Sequence, residues 1–421
     1  MNTPAFQDFL EDRQKAVRFL LDQPLRTITI VHHNDTDGIA AGAILKTALS
    51  RAGYTTENIP IERVHPLFLP RIHTQTRKLI LYADLGSQSL TQIGAAMREG
   101  SRVLVLDHHL PVFSRGDPLR NDLVLVNPEL YGIDGDFQAS AAAVAFFWSQ
   151  ALDGANDNLA HLAVVGAAGD HQLVRGDYAG LNRTAFDIAC RQDTIRCPSD
   201  AAADAVFPLF GLEKAEAISR RILDLAVAGY HQGGALLAVD FCLRGPSTDT
   251  ERFAARVRHV QAERFRQEIQ RIEERGLESR GGIQWIDTAD RLHPLSLKAI
   301  GILCQQLSAG TLVHPDRYLA GFQDFPREFP LLGTFEADEI KVSLRVPPGI
   351  RAAIEKGEKP HLAEIVPPAA GEAGGHAEGC HRYAAACTIP RKNRFAFLQA
   401  LERHVNIWVG GIPGNTGDVS A

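Results

Sequence analysis

Ile30-Val31-His32-His33-Asn34-Asp35-Thr36-Asp37-Gly38 is a short apolar run that ends in one imidazole and two carboxylates on alternate residues. In an extended segment, side chains two apart share a face, so His33, Asp35 and Asp37 are expected to point together. Two acids this close repel each other unless something cationic sits between them. Carboxylates with a neutral imidazole suit a hard or borderline divalent ion. Gly38 reads as a sharp exit into a helix over 39–49. Taken alone, the stretch reads equally well as a polar strand end with an aspartate capping the helix. What decides is that the pattern recurs.

Outward from this stretch, Arg26 to Val31 is the first buried strand, and a helix over 39–52 closes at Gly53. A second apolar run, Ile59 to Val64, precedes Lys78 to Ala83, which ends on Asp84 and leads into a helix over 89–98. Arg102 to Leu106 ends on Asp107-His108-His109, and Leu123 to Val126 ends at Asn127-Pro128. Apolar runs of this length alternating with helices predict an α/β fold, with a parallel sheet covered on both faces. Ligands in such sheets gather at the carboxyl ends of the strands, where all of these acids and histidines fall. Two Ala-rich helices, 139–152 and 158–168, follow, and the second stops at Gly169-Asp170-His171. Residues 181–228 read as helical, and the run Leu236 to Val239 completes the first domain.

At 421 residues with 45% apolar content, the chain can bury ample core in two or three domains. A formal charge of -6 argues against a generally basic nucleic-acid coat, yet leaves room for a local arginine cluster on phosphates. Six scattered cysteines with no CxxC pair point to reduced thiols in the cytoplasm. The opening segment, Met1 to Gln23, mixes acids and bases as an amphipathic helix does and lacks the apolar core of a signal peptide. No apolar run approaches the roughly 18 residues of a membrane span, so no membrane partner is expected.

Residues 249–275 hold no Gly or Pro and carry a narrow apolar stripe (Phe253, Val257, Val260, Phe265, Ile269, Ile272) among acids and arginines, which predicts a long, largely solvated helix. The expected organisation is a metal-binding domain at 1–245, a linking helix at 246–282 and a smaller α/β domain at 283–421. In that last part, strands are expected at 283–286, near 317–322 and at 340–346 with Arg345, and helices at 296–307 and 394–405. Residues 367–379 read as a Gly-, Ala- and Pro-rich loop, and the tail 410–421 as frayed.

Collected, the first domain offers four groups of potential ligands: His33, Asp35 and Asp37; Asp84; Asp107, His108 and His109; and Asp170. Two divalent cations need about six or seven ligands, and the count fits. Such a pair activates a water and neutralises charge on the attacking and leaving oxygens of a phosphoryl centre. Mixed carboxylate and imidazole ligation favours Mn2+, with Mg2+ an alternative.

These four motifs, in this order, resemble those of the DHH phosphoesterase superfamily, and Gly379-Cys380-His381 followed by Ala384-Ala385-Ala386 is similar to the signature of its DHH-associated domain. The branch it most resembles is RecJ-like, of the archaeal type. The resemblance implies a metal-dependent phosphodiesterase, an exonuclease releasing 5′-mononucleotides from single-stranded DNA or RNA or from short oligonucleotides. It implies His33 and Asp35 as ligands of one metal, Asp37, His108 and Asp170 of the other, and Asp84 as the bridge. Asp107 would orient or supplement this shell, and His109 would sit near the scissile phosphate. Arg345 and the histidine of the Gly-rich segment would hold substrate phosphate. That histidine is His381 beside Gly379, with the register Gly374-Gly375-His376 as the competitor. Two other functions stay open: a dinucleotide or cyclic-dinucleotide phosphodiesterase of nanoRNase type, and a replication scaffold with the GINS complex as its partner. The four cysteines and histidines His376, Cys380, His381 and Cys387 match no common zinc-finger spacing.

Overall fold

The computed structural model describes residues 4–408 except Pro118 and Asp200; the tail expected to fray lies outside these residues. Two compact units emerge, one built on Met1–Val257 and one on Arg258–Phe329 and the residues from Gly333 on.

The first unit opens with α1 (Pro4–Leu21), then β1 (Thr27–His33), α2 (Thr36–Arg51), β2 (Thr55–Ile61), a short α3 (Leu69–Ile72), β3 (Leu79–Ala83), α4 (Leu90–Ala96), β4 (Arg102–Leu106) and β5 (Leu123–Val126). All pairings are parallel, in the order β2-β1-β3-β4-β5. Every residue of β3 and four of the five in β4 are buried, so side chains on both sheet faces are covered, as the unbroken apolar runs require. Helices α5 (Ala141–Leu152), α6 (Ala160–Gly169), α7 (Gly180–Arg191), α8 (Ala215–Leu223) and α9 (Gly234–Arg244) complete this unit. Residues Ala160–Ala168 of α6 are all buried, which its run of Ala, Val and Leu anticipates for a core helix. The 181–228 stretch is only partly helical, with α8 prolonged by a single π turn over Asp224–Ala228.

Helix α10 (Thr248–Arg275) is where the unit boundary falls. It ends before residue 276, and residues 278–280 are already strand. Within the second unit its Phe265 and Ile272 join a core with Ile286, Leu292, Ile300 and Leu303, while its buried Glu268 accepts from Arg291 at 2.7 and 3.0 Å. The elements that follow are β6 (Glu278–Arg280), β7 (Ile283–Asp287), α11 (Ala299–Ser308), β8 (Tyr318–Asp324), the two-residue pair β9 (Glu328–Phe329) and β10 (Gly333–Thr334), β11 (Glu339–Arg345), α12 (Pro348–Glu355), α13 (Leu362–Glu372), β12 (His376–Cys380), β13 (Ala384–Pro390) and α14 (Arg394–Trp408). Six strands form a mixed sheet, β12-β13-β11-β8-β7-β6, in which only β7 and β8 pair in parallel.

The loop expected over 367–379 is instead the second half of α13 and most of β12. Pro367 and Pro368 sit inside the helix, where each removes a backbone donor. Burial wins: Ile365, Val366, Ala369 and Ala370 of this helix lie in the core against Phe397 and Leu401. Tertiary packing here overrides a local preference of about 3 kcal/mol per proline.

Candidate metal centre

The strand order places β1 and β3 side by side with their connections leaving in opposite senses, the switch point at which open α/β sheets take ligands. His33 is the last residue of β1, and Asp84 directly follows β3. Asp35 is the N-cap of α2, its Oδ1 accepting from the Gly38 amide at 3.2 Å, while its Oδ2 lies 2.7 Å from His33 Nδ1. Asp35 thus caps the helix through one oxygen while the other faces His33. Asp37 is not on an extended segment as expected; it sits in the first turn of α2, so a helix start brings the three side chains to one place. Nor is Gly38 a turn. It is helical, and a Cβ there would lie 2.5 Å from His33 Cβ and O, so glycine lets the helix begin against the strand end.

Asp84 has a left-handed backbone, φ 61°, and is 1% exposed. It caps no helix, because α4 starts only at Leu90. Its Oδ2 lies 3.3 Å from His33 Nδ1, and its Oδ1 lies 3.3 Å from His108 Nε2 and 3.9 Å from His109 Nδ1. Neither oxygen has a well-formed hydrogen bond.

The triplet after β4 divides its work. Asp107 is filled by donors: Ser87 N at 2.9 Å on Oδ2, and His108 N at 2.8 Å, His109 N at 3.3 Å and His109 Nδ1 at 2.8 Å on Oδ1. Burial opposes its charge, but His109 and these amides outweigh it and hold the carboxyl well below the usual range. It belongs to none of the three groups whose donor atoms converge, its bonds going to the His109 ring and to backbone amides. His108 Nδ1 donates to Gly135 O at 2.7 Å, which turns Nε2 toward Asp170 Oδ2 (3.2 Å), Asp84 Oδ1 (3.3 Å) and Asp37 Oδ2 (3.8 Å). A backbone carbonyl that fixes one imidazole nitrogen and frees the other is the usual support of a ligating histidine. The side chain of His109 is 48% exposed.

Asp37 accepts from Ala141 N at 2.6 Å and Ala142 N at 2.9 Å, at the N-terminus of α5, where the helix dipole favours an anion. Helix α6 packs close beside it, since a Cβ on Gly166 would lie 2.3 Å from Asp37 Oδ1. Asp170 ends that helix as its C-cap. Burial, and next the charge of Asp84, push Asp37 up to about 7. Burial and then Asp37 raise Asp170 well above the usual range. His108 resists charging by burial, but Asp84 leads the acids that raise its pKa well above the usual value. The acids that keep His108 charged against its burial make a negative potential, which draws other cations as well.

Among the described residues, three groups of donor atoms converge within 4.8 Å: His33, Asp35 and Asp84; Asp84, His108 and His109; and Asp37, His108 and Asp170. Asp84 and His108 each belong to two. Carboxylate oxygens and imidazole nitrogens in this proportion fit Mn2+ or Mg2+, and the two unbonded Asp84 oxygens, buried at almost no solvent contact, fit them best.

The remaining sequence candidates lie in the second unit. Arg345 closes β11, with Nε donating to Gln305 Oε1 at 2.9 Å and NH1 to Leu344 O at 2.8 Å; burial lowers its pKa. His376 opens β12, Gly379 lies near its irregular end, and His381 sits in the turn after it, its amide bonded to Ala384 O at 2.8 Å. Both histidines are exposed.

Several supporting residues carried no signal in the sequence. Asn127, read there only as a strand end, donates to Ser87 Oγ and His109 O, both at 2.8 Å. Gly135 and the α5 amides act through backbone atoms, which no side-chain pattern reveals.

Residues 27–168 match the DHH family, N-terminal domain. Uncharacterized protein MJ0831 of Methanocaldococcus jannaschii is 25% identical over 213 residues, 50% of this chain and 46% of that protein, so the chain spans about half the length of this curated relative. Among solved structures, RecJ of Thermus thermophilus in complex with Mn2+ has a TM-score of 0.60 at 18% identity, covering 97% of this chain and 55% of that one. Cdc45 from Entamoeba histolytica has a TM-score of 0.55 at 10% identity, covering 95% and 99%. At such identities the likeness to solved structures speaks for fold. Residues 27–168 are thus similar to the DHH family N-terminal domain, in a chain whose fold is RecJ-like.

Proposed function

We propose that this protein is a metal-dependent phosphodiesterase that hydrolyses single-stranded nucleic acid or short oligonucleotides to 5′-mononucleotides. The observation that carries the reading is Asp84, whose buried oxygens make no well-formed hydrogen bond while His33, His108 and further acids crowd around them. His33 and Asp35 hold one ion, Asp37, His108 and Asp170 the other, and Asp84 is shared between them. Mn2+ is the first choice and Mg2+ the second. Bound there, divalent ions supply Lewis acidity toward a water and toward phosphoryl oxygens. Asp107 keeps His108 and His109 in register. Burial works against a charge on His109, but Asp107 raises its pKa, so this half-exposed ring offers positive charge to a phosphate. Arg345 and His381, or His376, with Gly379 hold substrate phosphate, a role supported by the resemblance of that segment to the DHH-associated domain. On this reading residues 1–245 are catalytic, 246–282 link and 283–421 bind substrate, in the cytoplasm.

The likeness to Cdc45 favours a second reading, a replication scaffold that docks GINS. The presence of every ligand type argues for hydrolysis. The test is the purified full chain with Mn2+ on end-labelled single-stranded DNA and RNA and on a dinucleotide, beside His108→Ala. Mn2+-dependent release of mononucleotides that His108→Ala abolishes supports the proposal. Turnover of the dinucleotide alone moves it to the nanoRNase type. No hydrolysis of any substrate, or equal rates in the variant, refutes it and leaves co-purification with GINS as the measurement for the scaffold.

A further inference from the structure

Gln172, in the turn after α6, and Asn182, in the first turn of α7, are 1% and 0% exposed, and their amide groups bond to each other and to the backbone around the site. Their hydrogen bonds run in one forced sense. Gly135 O can only accept, and it takes both His108 Nδ1 at 2.7 Å and Gln172 Nε2 at 2.8 Å. With its nitrogen committed, Gln172 must present Oε1 to Asn182 Nδ2, 2.5 Å away. Asn182 then has Oδ1 left for the Ser140 amide, at 3.0 Å. Ser140 caps α5, its Oγ accepting from Ala143 N at 3.2 Å, and the next two amides of that helix are those that grip Asp37.

The geometry points to Gln172 and Asn182 as positioning residues for the cation: one buried relay fixes the ring of His108 at one end and the carboxylate of Asp37 at the other. The inference rests on the reading of the cluster as a divalent-metal site. An amide pair suits the task because it is directional and adds no charge where acids are already in excess. A carboxylate at position 182 reverses the chain. It faces Gln172 Oε1 with a second acceptor, so the Gln172 amide must turn and aim its oxygen at Gly135 O, and the loop that holds His108 loses a bond.

The test titrates the full chain, freed of metal by chelation, with MnCl2, reading free Mn2+ by electron paramagnetic resonance. The proteins are wild type, Asn182→Asp and the near-isosteric Gln172→Met, which serves if the buried acid of Asn182→Asp prevents folding. The expected result is a loss of about 10- to 100-fold in affinity. It falls on the binding step that uses Asp37, His108 and Asp170, while the step that uses His33 and Asp35 stays in place. Hydrolysis by the variants then recovers at high Mn2+ with kcat near that of wild type. Variants that melt lower in the metal-free state yet bind Mn2+ within twofold of wild type mark ordinary core amides and overturn the inference. Equal weakening of both steps does the same. A wild type that takes up no Mn2+ overturns the metal reading itself, which separates the two failures.

Discussion

Asp84→Asn is the substitution with the most informative thermodynamics. Asparagine tolerates the left-handed backbone at φ 61° and keeps the side-chain volume, so only charge and ligation change. In the metal-free protein the two electrostatic changes oppose each other. Relief of repulsion with Asp35, within 4.8 Å, is about 3 kcal/mol at an effective dielectric near 20. Lost attraction to His108 at 3.3 Å is about 5 kcal/mol on the same basis. The difference of about 2 kcal/mol moves the metal-free melting temperature by roughly 4–8 °C. Mn2+ separates the proteins. At one hundred times the dissociation constant, wild type gains about 2.7 kcal/mol, or roughly 5–10 °C for a unit of this size. If the substitution weakens binding about 100-fold, the same Mn2+ gives about 0.4 kcal/mol, roughly 1–2 °C. Differential scanning fluorimetry with and without Mn2+ reads both numbers. An Asp84→Asn variant that gains as many degrees from Mn2+ as wild type refutes the argument.

Three further outcomes follow from the same geometry. Gly166→Ala puts a Cβ 2.3 Å from Asp37 Oδ1 and 2.4 Å from Ala142 Cβ, so denaturant unfolding should show a loss of about 1–3 kcal/mol together with weaker Mn2+ binding. Asp107→Asn replaces one acceptor by a donor that faces backbone amides, so it should lower the hydrolysis rate more than tenfold while Mn2+ affinity, measured by calorimetry, changes far less. In metal-free protein the folded state keeps a proton on Asp37 up to about 7, whereas the unfolded chain releases it near 3.8. Folded protein therefore binds more protons across that window, and stability measured by urea unfolding should fall as pH rises through it; saturating Mn2+ should flatten the slope.

Much of this is legible in the chain. Leu79–Ala83 and Arg102–Leu106 are apolar enough to be buried on both faces, which requires a parallel sheet, and a parallel sheet gathers its polar strand ends at one edge. That logic alone places Asp84 and His108 beside His33. It misjudges how Asp37 arrives, because period-two alternation stops where Asp35 caps α2. The reading of 367–379 as a loop fails because local proline chemistry is outweighed by the core that α13 fills. The shell around the site is invisible for a different reason. Gly135 and the α5 amides act through backbone atoms, and Gln172 and Asn182 are single amides whose meaning depends on a carbonyl more than thirty residues away.

The proposed function rests on divalent ions held between the acids and histidines of four separated segments. Crystals grown with MnCl2 and measured at the manganese absorption edge test it most directly. Anomalous peaks are expected in two places, bounded by His33, Asp35 and Asp84 and by Asp37, His108 and Asp170. A map with no peak among these residues, in crystals whose Mn2+ is seen elsewhere, contradicts it.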